Sequence, residues 1–220
     1  MKFVHILVEG QTEEIFVQDV LAPYLVRKRV FVRPILATTK RVKVGTNFKG
    51  GIVTYGKVKD NLRRLLQDTN AVLITTMLDY YNLPDDFPRY SERLAGSCFD
   101  RVAFLEQAFA EDIANHKFLP YLALHEFEAM MFVSPDAIAH EFPNVASTEQ
   151  LHAIRNAFTS PEEINENDPP SKRLLTVFGA DYQKPFHGPL VTSQIGLDPI
   201  RQACAHFAVW VQQLEALGES

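Results

Sequence analysis

The sequence has little cysteine, no long apolar span and no excess of positive charge. Each shortage excludes a class of protein. Its two cysteines, Cys98 and Cys204, lack metal-ligand and redox spacing, so a disulfide scaffold, a zinc site and a thiol redox motif are all excluded, and two reduced thiols are expected. The longest early apolar run, Phe3 to Val8, ends at Glu9-Gly10 and has no basic segment before it. It is too short for a signal sequence or a membrane span, and a cytoplasmic protein is expected. Formal net charge is -5, so no overall basic field draws in nucleic acid. Any anion binding must come from a local patch.

Familiar catalytic motifs are missing too. His125-Glu126 opens like a zinc-protease motif, but Ala129 stands where the second histidine belongs,. Gly45 and Gly50 have the spacing of a phosphate-binding loop, but Gly51-Ile52 replaces its Lys-Ser/Thr,. Gly10 has no companions for a dinucleotide fingerprint, and there is no Gly-x-Ser-x-Gly elbow,. The seven histidines are scattered.

What is present reads as one α/β domain. With 220 residues, 46% of them hydrophobic and 22% charged, the chain is long enough for a substantial core. Phe3–Val8, Val30–Leu36, Ala71–Leu78 and Phe118–Leu124 are near-continuous apolar runs, as in strands covered on both faces. Helical segments separate them. Thr12 is expected to cap the first, followed by Glu13 and Glu14. Asp60–Asp68, Cys98–Ala114 and a helix running to about Met131 supply others. Strands alternating with helices predict a mostly parallel, Rossmann-like sheet flanked by helices. From about residue 134 the pattern turns to helices and loops. It ends in an amphipathic stretch, Pro199–Leu217, with Ile200, Cys204, Phe207, Val211 and Leu214 on one face,.

Three of the strands end in acids: Glu9 after the first, Asp79 after the third, and Glu126 with Glu128 after the fourth. Sites in open α/β sheets form at the carboxyl ends of strands. Several carboxylates in one crevice need a cation, and such hard oxygen donors suit Mg2+ or Mn2+. The alternative is that they cap the following helices; for Asp79 this is the poorer account, because Tyr80, Tyr81 and Pro84 make a loop follow it. Positive charge is local. Thr38 to Lys59 is glycine-rich and free of acids, with Lys40, Arg41 and Lys43 at its start; Lys172-Arg173 and Lys184 follow later. These are candidates to hold nucleic-acid phosphates, set against the plainer reading of solvated surface charge.

Several stretches together resemble the DUF4276 family: Val8-Glu9-Gly10-Gln11-Thr12-Glu13, Asp79-Tyr80-Tyr81-Asn82-Leu83-Pro84, Leu124-His125-Glu126-Phe127-Glu128-Ala129-Met130-Met131-Phe132, Pro170-Ser171-Lys172-Arg173-Leu174, and the C-terminal Ile200-Arg201-x-x-Cys204-x-His206-Phe207. That family resembles the Toprim superfamily, including the nuclease domains of OLD-type proteins. The resemblance implies a Toprim-like core at 1–133 with a helical section at 134–220, and Mg2+-dependent phosphodiester chemistry. Carried over, Glu9 matches the first acid and Asp79 the first aspartate of an Asp-x-Asp pair. Tyr81 stands where the second aspartate belongs, leaving Glu126 or Glu128 to supply that ligand.

The expected function is therefore a metal-dependent nuclease acting on DNA or RNA. Its metal ligands are Glu9, Asp79 and Glu126 or Glu128, with Glu13 as a further ligand or orienter. Lys172, Arg173 and Lys184 would neutralise the scissile phosphate, Lys172 counting among the catalytic candidates. The resemblance also implies a role in defence and a partner ATPase of AAA or ABC type. Two rivals share the fold: a non-catalytic regulatory subunit, and a phosphatase or phosphotransferase for small molecules.

Overall fold

The computed structural model describes residues 1–37, 54–93, 96–143, 145, 147–164 and 167–219. The chain opens with strand β1 (Lys2–Val8). Helix α1 (Gln11–Phe16) follows, passes through a π-helical turn (Val17–Leu21), and continues as α2 (Ala22–Val26). Then come β2 (Val30–Leu36), α3 (Tyr55–Leu65), β3 (Ala71–Asp79) and α4 (Cys98–Ile113). Two short strands, β4 (Phe118–Leu119) and β5 (Leu122–Ala123), complete the sheet. The remaining helices are α5 (Pro135–His140), α6 (Thr148–Asn156), α7 (Pro170–Phe178), α8 (Lys184–Ile195), α9 (Leu197–Ala203) and α10 (Ala205–Glu219). Among the described residues no helix is long and apolar enough to cross a membrane.

The sheet order is β2-β1-β3-β4, with β5 also on β3, and every pairing is parallel. This is the expected mostly parallel α/β architecture with a helical C-terminal part. Strand alternation sends side chains to opposite layers. Val4, Ile6 and Val8 of β1 join a core with Phe16, Leu21, Ile200, Phe207 and Trp210. Leu7 faces the other way, into a core with Val58 and Leu62 of α3 and Val102, Leu105 and Phe109 of α4. Full burial of a side chain such as Phe207 is worth about 1.5–3 kcal/mol. Trp210 donates its Nε1–H to Thr75 Oγ1 at 2.9 Å, which fixes α10 against the sheet centre. A third cluster, including Phe132, Leu151, Leu174 and Val191, holds α5 to α8 together.

Four expected boundaries change. The fourth strand is split: Pro120 interrupts it, and the gap is bridged by Thr76 Oγ1, which accepts from Tyr121 N and donates to Tyr121 O, both at 2.9 Å. A proline has no N–H for the ladder, so a side chain replaces the missing rung. The C-terminal helix is broken at Cys204 (φ -116°, ψ 89°). Glu162 then accepts from the N–H groups of His206 and Phe207, both at 3.0 Å, at the start of α10. Helix α3 begins at Tyr55 rather than Asp60 because Asp86 Oδ1 accepts from Tyr55 N at 2.9 Å. Gly10, not Thr12, is the residue before α1; Thr12 is buried inside the helix.

Candidate functional site

Parallel pairing brings the carboxyl ends of β1, β3 and β5 to one side of the sheet. Glu9 directly follows β1, and its Oε2 accepts from Asp79 N at 3.3 Å. Asp79 ends β3 and is buried. Its Oδ1 accepts from Phe127 N at 3.0 Å, which ties the strand end to the turn after β5. That turn passes through His125 at φ 61°. Positive φ is uncommon for a non-glycine residue and here redirects the chain. Glu126 and a 3-10 helix, Phe127–Val133, follow. Glu128, within that helix, is wholly buried. Glu13, in the first turn of α1, is buried and accepts from Gly10 N at 2.9 Å through Oε2.

Among the described residues, one cation meets this group. Lys184, the first residue of α8, places its Nζ 3.0 Å from Glu128 Oε2 and 3.5 Å from Asp79 Oδ2. Tyr182 O–H donates to the other Glu128 oxygen at 3.2 Å. Glu128 Oε2 is buried, with Lys184 Nζ as its partner.

The electrostatics follow from this crowding. Burial, then the charge of Glu13, pushes Glu9 up to about 7. Burial raises Asp79 well above its usual range; Lys184 opposes this, and the charges of Glu9, Glu13 and Glu128 reinforce it. Burial also raises Glu13, and burial followed by the charge of Glu128 raises Glu126. For Lys184, burial acts to lower the pKa, but Asp79, Glu128 and Glu13 outweigh it and hold the group protonated above the usual lysine range. The described carboxylates thus outnumber the lysine that meets them, and burial favours the protonated form of the surplus acids,.

The expected site residues divide into groups. Asp79, Glu128 and Lys184 are in direct contact; Glu9 bonds to the backbone of Asp79, and Glu13 is coupled to Glu9 and Lys184 by charge. Glu126 is adjacent, but it accepts from both Ser171 N at 2.9 Å and Ser171 Oγ at 3.0 Å, so it caps α7. Capping also describes one oxygen of Asp79, through Phe127 N. Lys172 is exposed and pairs with Asp168 at 3.2 Å. Arg173 donates through Nε to Asp168 O at 2.7 Å and lies over the Phe158 ring at 5.3 Å. Both are occupied by Asp168 rather than by the carboxylate group. Lys40, Arg41 and Lys43 lie outside the described residues.

Ser171, Tyr182 and Gly188 have site roles that residue type alone did not reveal. Ser171 lies between two prolines and two cations, where nothing in the local sequence marks it as a partner of Glu126. The donor set is all carboxylate oxygen, and this chemistry fits a hard divalent cation. As the side chains stand, no three Asp, Glu, His or Cys residues among those described are arranged to hold an ion. They surround an ammonium group instead.

No curated protein matches the chain. Among solved structures, the C-terminal region of the Burkholderia pseudomallei OLD protein aligns at 17% identity over 96% of this chain and 99% of that chain, with a TM-score of 0.39. The model of DUF4276, a domain of unknown function, matches residues 8–215. The chain therefore belongs to the DUF4276 family.

Proposed function

We propose that this protein is a divalent-cation-dependent nuclease whose site is the carboxylate group around Lys184. The observation that carries the reading is that acids following three separate strands meet at one buried point, where the described carboxylates outnumber the lysine in contact with them. Glu9, Asp79 and Glu128 or Glu126 would hold Mg2+ or Mn2+, with Glu13 orienting Glu9. When bound, such an ion would acidify a water molecule and offset the charge that builds on the phosphoryl oxygens. Tyr182 would fix the Glu128 carboxylate by its hydrogen bond. Lys184, partly exposed at the start of α8, would approach the scissile phosphate, and exposed Lys172 would meet the backbone farther out. Lys40, Arg41, Lys43 and Arg173 complete the proposed phosphate contacts. In this reading residues 1–133 are the Toprim-like core and 134–220 its helical section. A defence role beside an AAA- or ABC-type ATPase goes with it.

A second reading is a non-catalytic binding subunit with the same fold. It is favoured by Tyr81 at the place of the second aspartate and by the lysine seated among the acids. The test is cleavage of single- and double-stranded DNA and RNA in Mg2+ or Mn2+, with Glu9→Gln as control. Cleavage by wild type that Glu9→Gln abolishes supports the nuclease. Binding without cleavage in either ion supports the subunit.

A further inference from the structure

Lys184 stands where a cation bound by Asp79 and Glu128 would stand. Its Nζ lies 3.0 Å from Glu128 Oε2 and 3.5 Å from Asp79 Oδ2. Those are ammonium distances. Mg2+ needs oxygens at about 2.0–2.1 Å, so the carboxylates must draw inward to hold it. They cannot do so around an ammonium, which agrees with the absence of a ready three-residue ion site among the described residues. Glu128 Oε2 is fully buried, and the contact it makes at this point is the ion pair with Lys184.

We propose that Lys184 is an exchangeable plug, its ammonium filling the cation position until a divalent ion displaces it. The proposal rests on the metal-dependent reading above and adds a competitor to it. Ammonium and divalent ion cannot share a space this small, because two cations a few ångströms apart in a buried site repel strongly. The lysine has a way out. Its side chain is 35% exposed, unlike those of Asp79 and Glu128 at 3% and 0%. The helix behind it has none, since Gly188, one turn on, packs directly against Thr12 and Phe127. Exchange is therefore a swing of the Lys184 side chain about a fixed α8. The cluster then rests with a charge of its own and binds an ion only where the ion outcompetes it.

The test uses the whole chain and Mn2+. Amine acetylation by acetic anhydride, read site by site by mass spectrometry, is compared with and without saturating Mn2+, with exposed Lys172 as internal reference. Mn2+ binding is measured in parallel by calorimetry and electron paramagnetic resonance on wild type and Lys184→Met. Labelling of Lys184 is expected to rise with Mn2+ while Lys172 stays constant. If the open form is a tenth of the population or less, Lys184→Met is expected to bind Mn2+ about tenfold or more tightly. Should that variant not fold, the wild-type labelling decides alone. Unchanged labelling at saturating Mn2+, or an affinity in folded Lys184→Met no tighter than wild type, overturns the plug and leaves the metal reading intact. Absence of Mn2+ binding in both proteins overturns both.

Discussion

Gly188 of α8 lies so close to Thr12 of α1 that a β-carbon on Gly188 would stand 2.7 Å from Thr12 Cγ2 and 3.2 Å from Phe127 Cε1. The contact sets the distance between the helix that carries Glu13 and the helix that carries Lys184. Alanine would improve local helix propensity by up to about 1 kcal/mol. The steric conflict is with buried side chains, however, and overpacking of this kind costs about 1–3 kcal/mol. Gly188→Ala is expected to lower stability by denaturant unfolding and to withdraw Lys184 from Glu128. A variant as stable as wild type would show that the two helices separate easily.

Asp79→Asn separates charge from shape. The asparagine Oδ1 still accepts from Phe127 N, so the turn after β5 keeps its anchor. Without divalent ion the variant is expected to be at least as stable as wild type, since one buried like charge is gone and Lys184 keeps Glu128 at 3.0 Å. With Mn2+ at about a hundred times its Kd, wild type should gain about 2.7 kcal/mol by mass action. Asp79→Asn should lose most of that gain. Thermal melts with and without Mn2+ check both, and an equal gain in the two proteins would remove Asp79 from the ion site.

The contrast between strands and helix ends explains what the sequence could reveal. β1 and β3 are legible because burial on both faces demands nearly unbroken apolar runs, and Glu9 and Asp79 stand out as the acids that end them. β2, at the sheet edge, is mostly half-buried and shows as a run only through its β-branched and aromatic residues,. The break at Cys204 is hidden because Ile200, Phe207, Val211 and Leu214 keep helical spacing across it; its cause, Glu162, lies far back in the chain. Asp86 at the start of α3 and Ser171 on Glu126 are likewise long-range hydrogen bonds between polar residues that look like ordinary loop. Spacing records which face is apolar. It does not record which distant carboxylate satisfies a helix end.

Glu162 provides a direct test of that distinction. It is 4% exposed and accepts two backbone N–H groups that no longer have partners inside α9. Glu162→Ala would leave both donors buried or half-buried without an acceptor, at about 1–3 kcal/mol each. Glu162→Gln keeps one carbonyl acceptor and should recover part of the loss. Equal stabilities for the two variants would mean that water reaches the start of α10.

Ser171 and Lys172 are neighbours in sequence with different expected consequences. Ser171→Ala removes one of two bonds to the buried Glu126 carboxylate and should cost about 1 kcal/mol,. Lys172→Ala removes an exposed pair with Asp168 and should change stability by less than about 0.5 kcal/mol,. Under the proposed function Lys172→Ala also weakens nucleic-acid binding and flattens its salt dependence by about one unit of log-log slope. A filter-binding salt series checks this, and an unchanged slope would leave Lys172 as solvated surface charge.

The pH dependence of stability has a sign that Glu9 fixes. Its pKa is raised from 4.5 to about 7 in the folded protein. Between these values the folded state holds a proton that the unfolded chain releases, so stability falls as pH rises through that window. The contribution is complete below pH 4.5, the unfolded value, and is lost by about pH 7. Glutamine at this position does not titrate. The difference in unfolding free energy, Glu9→Gln minus wild type, should therefore grow between pH 4.5 and 7, by roughly 1–3 kcal/mol, and level off above. Urea titrations in a chelating buffer at pH 4.5, 6 and 7.5 measure it. Mn2+ should shrink the difference by favouring the ionised carboxylates of wild type. A difference that is flat with pH would mean that Glu9 is hydrated and ionised throughout, and would remove it from the buried group around Lys184.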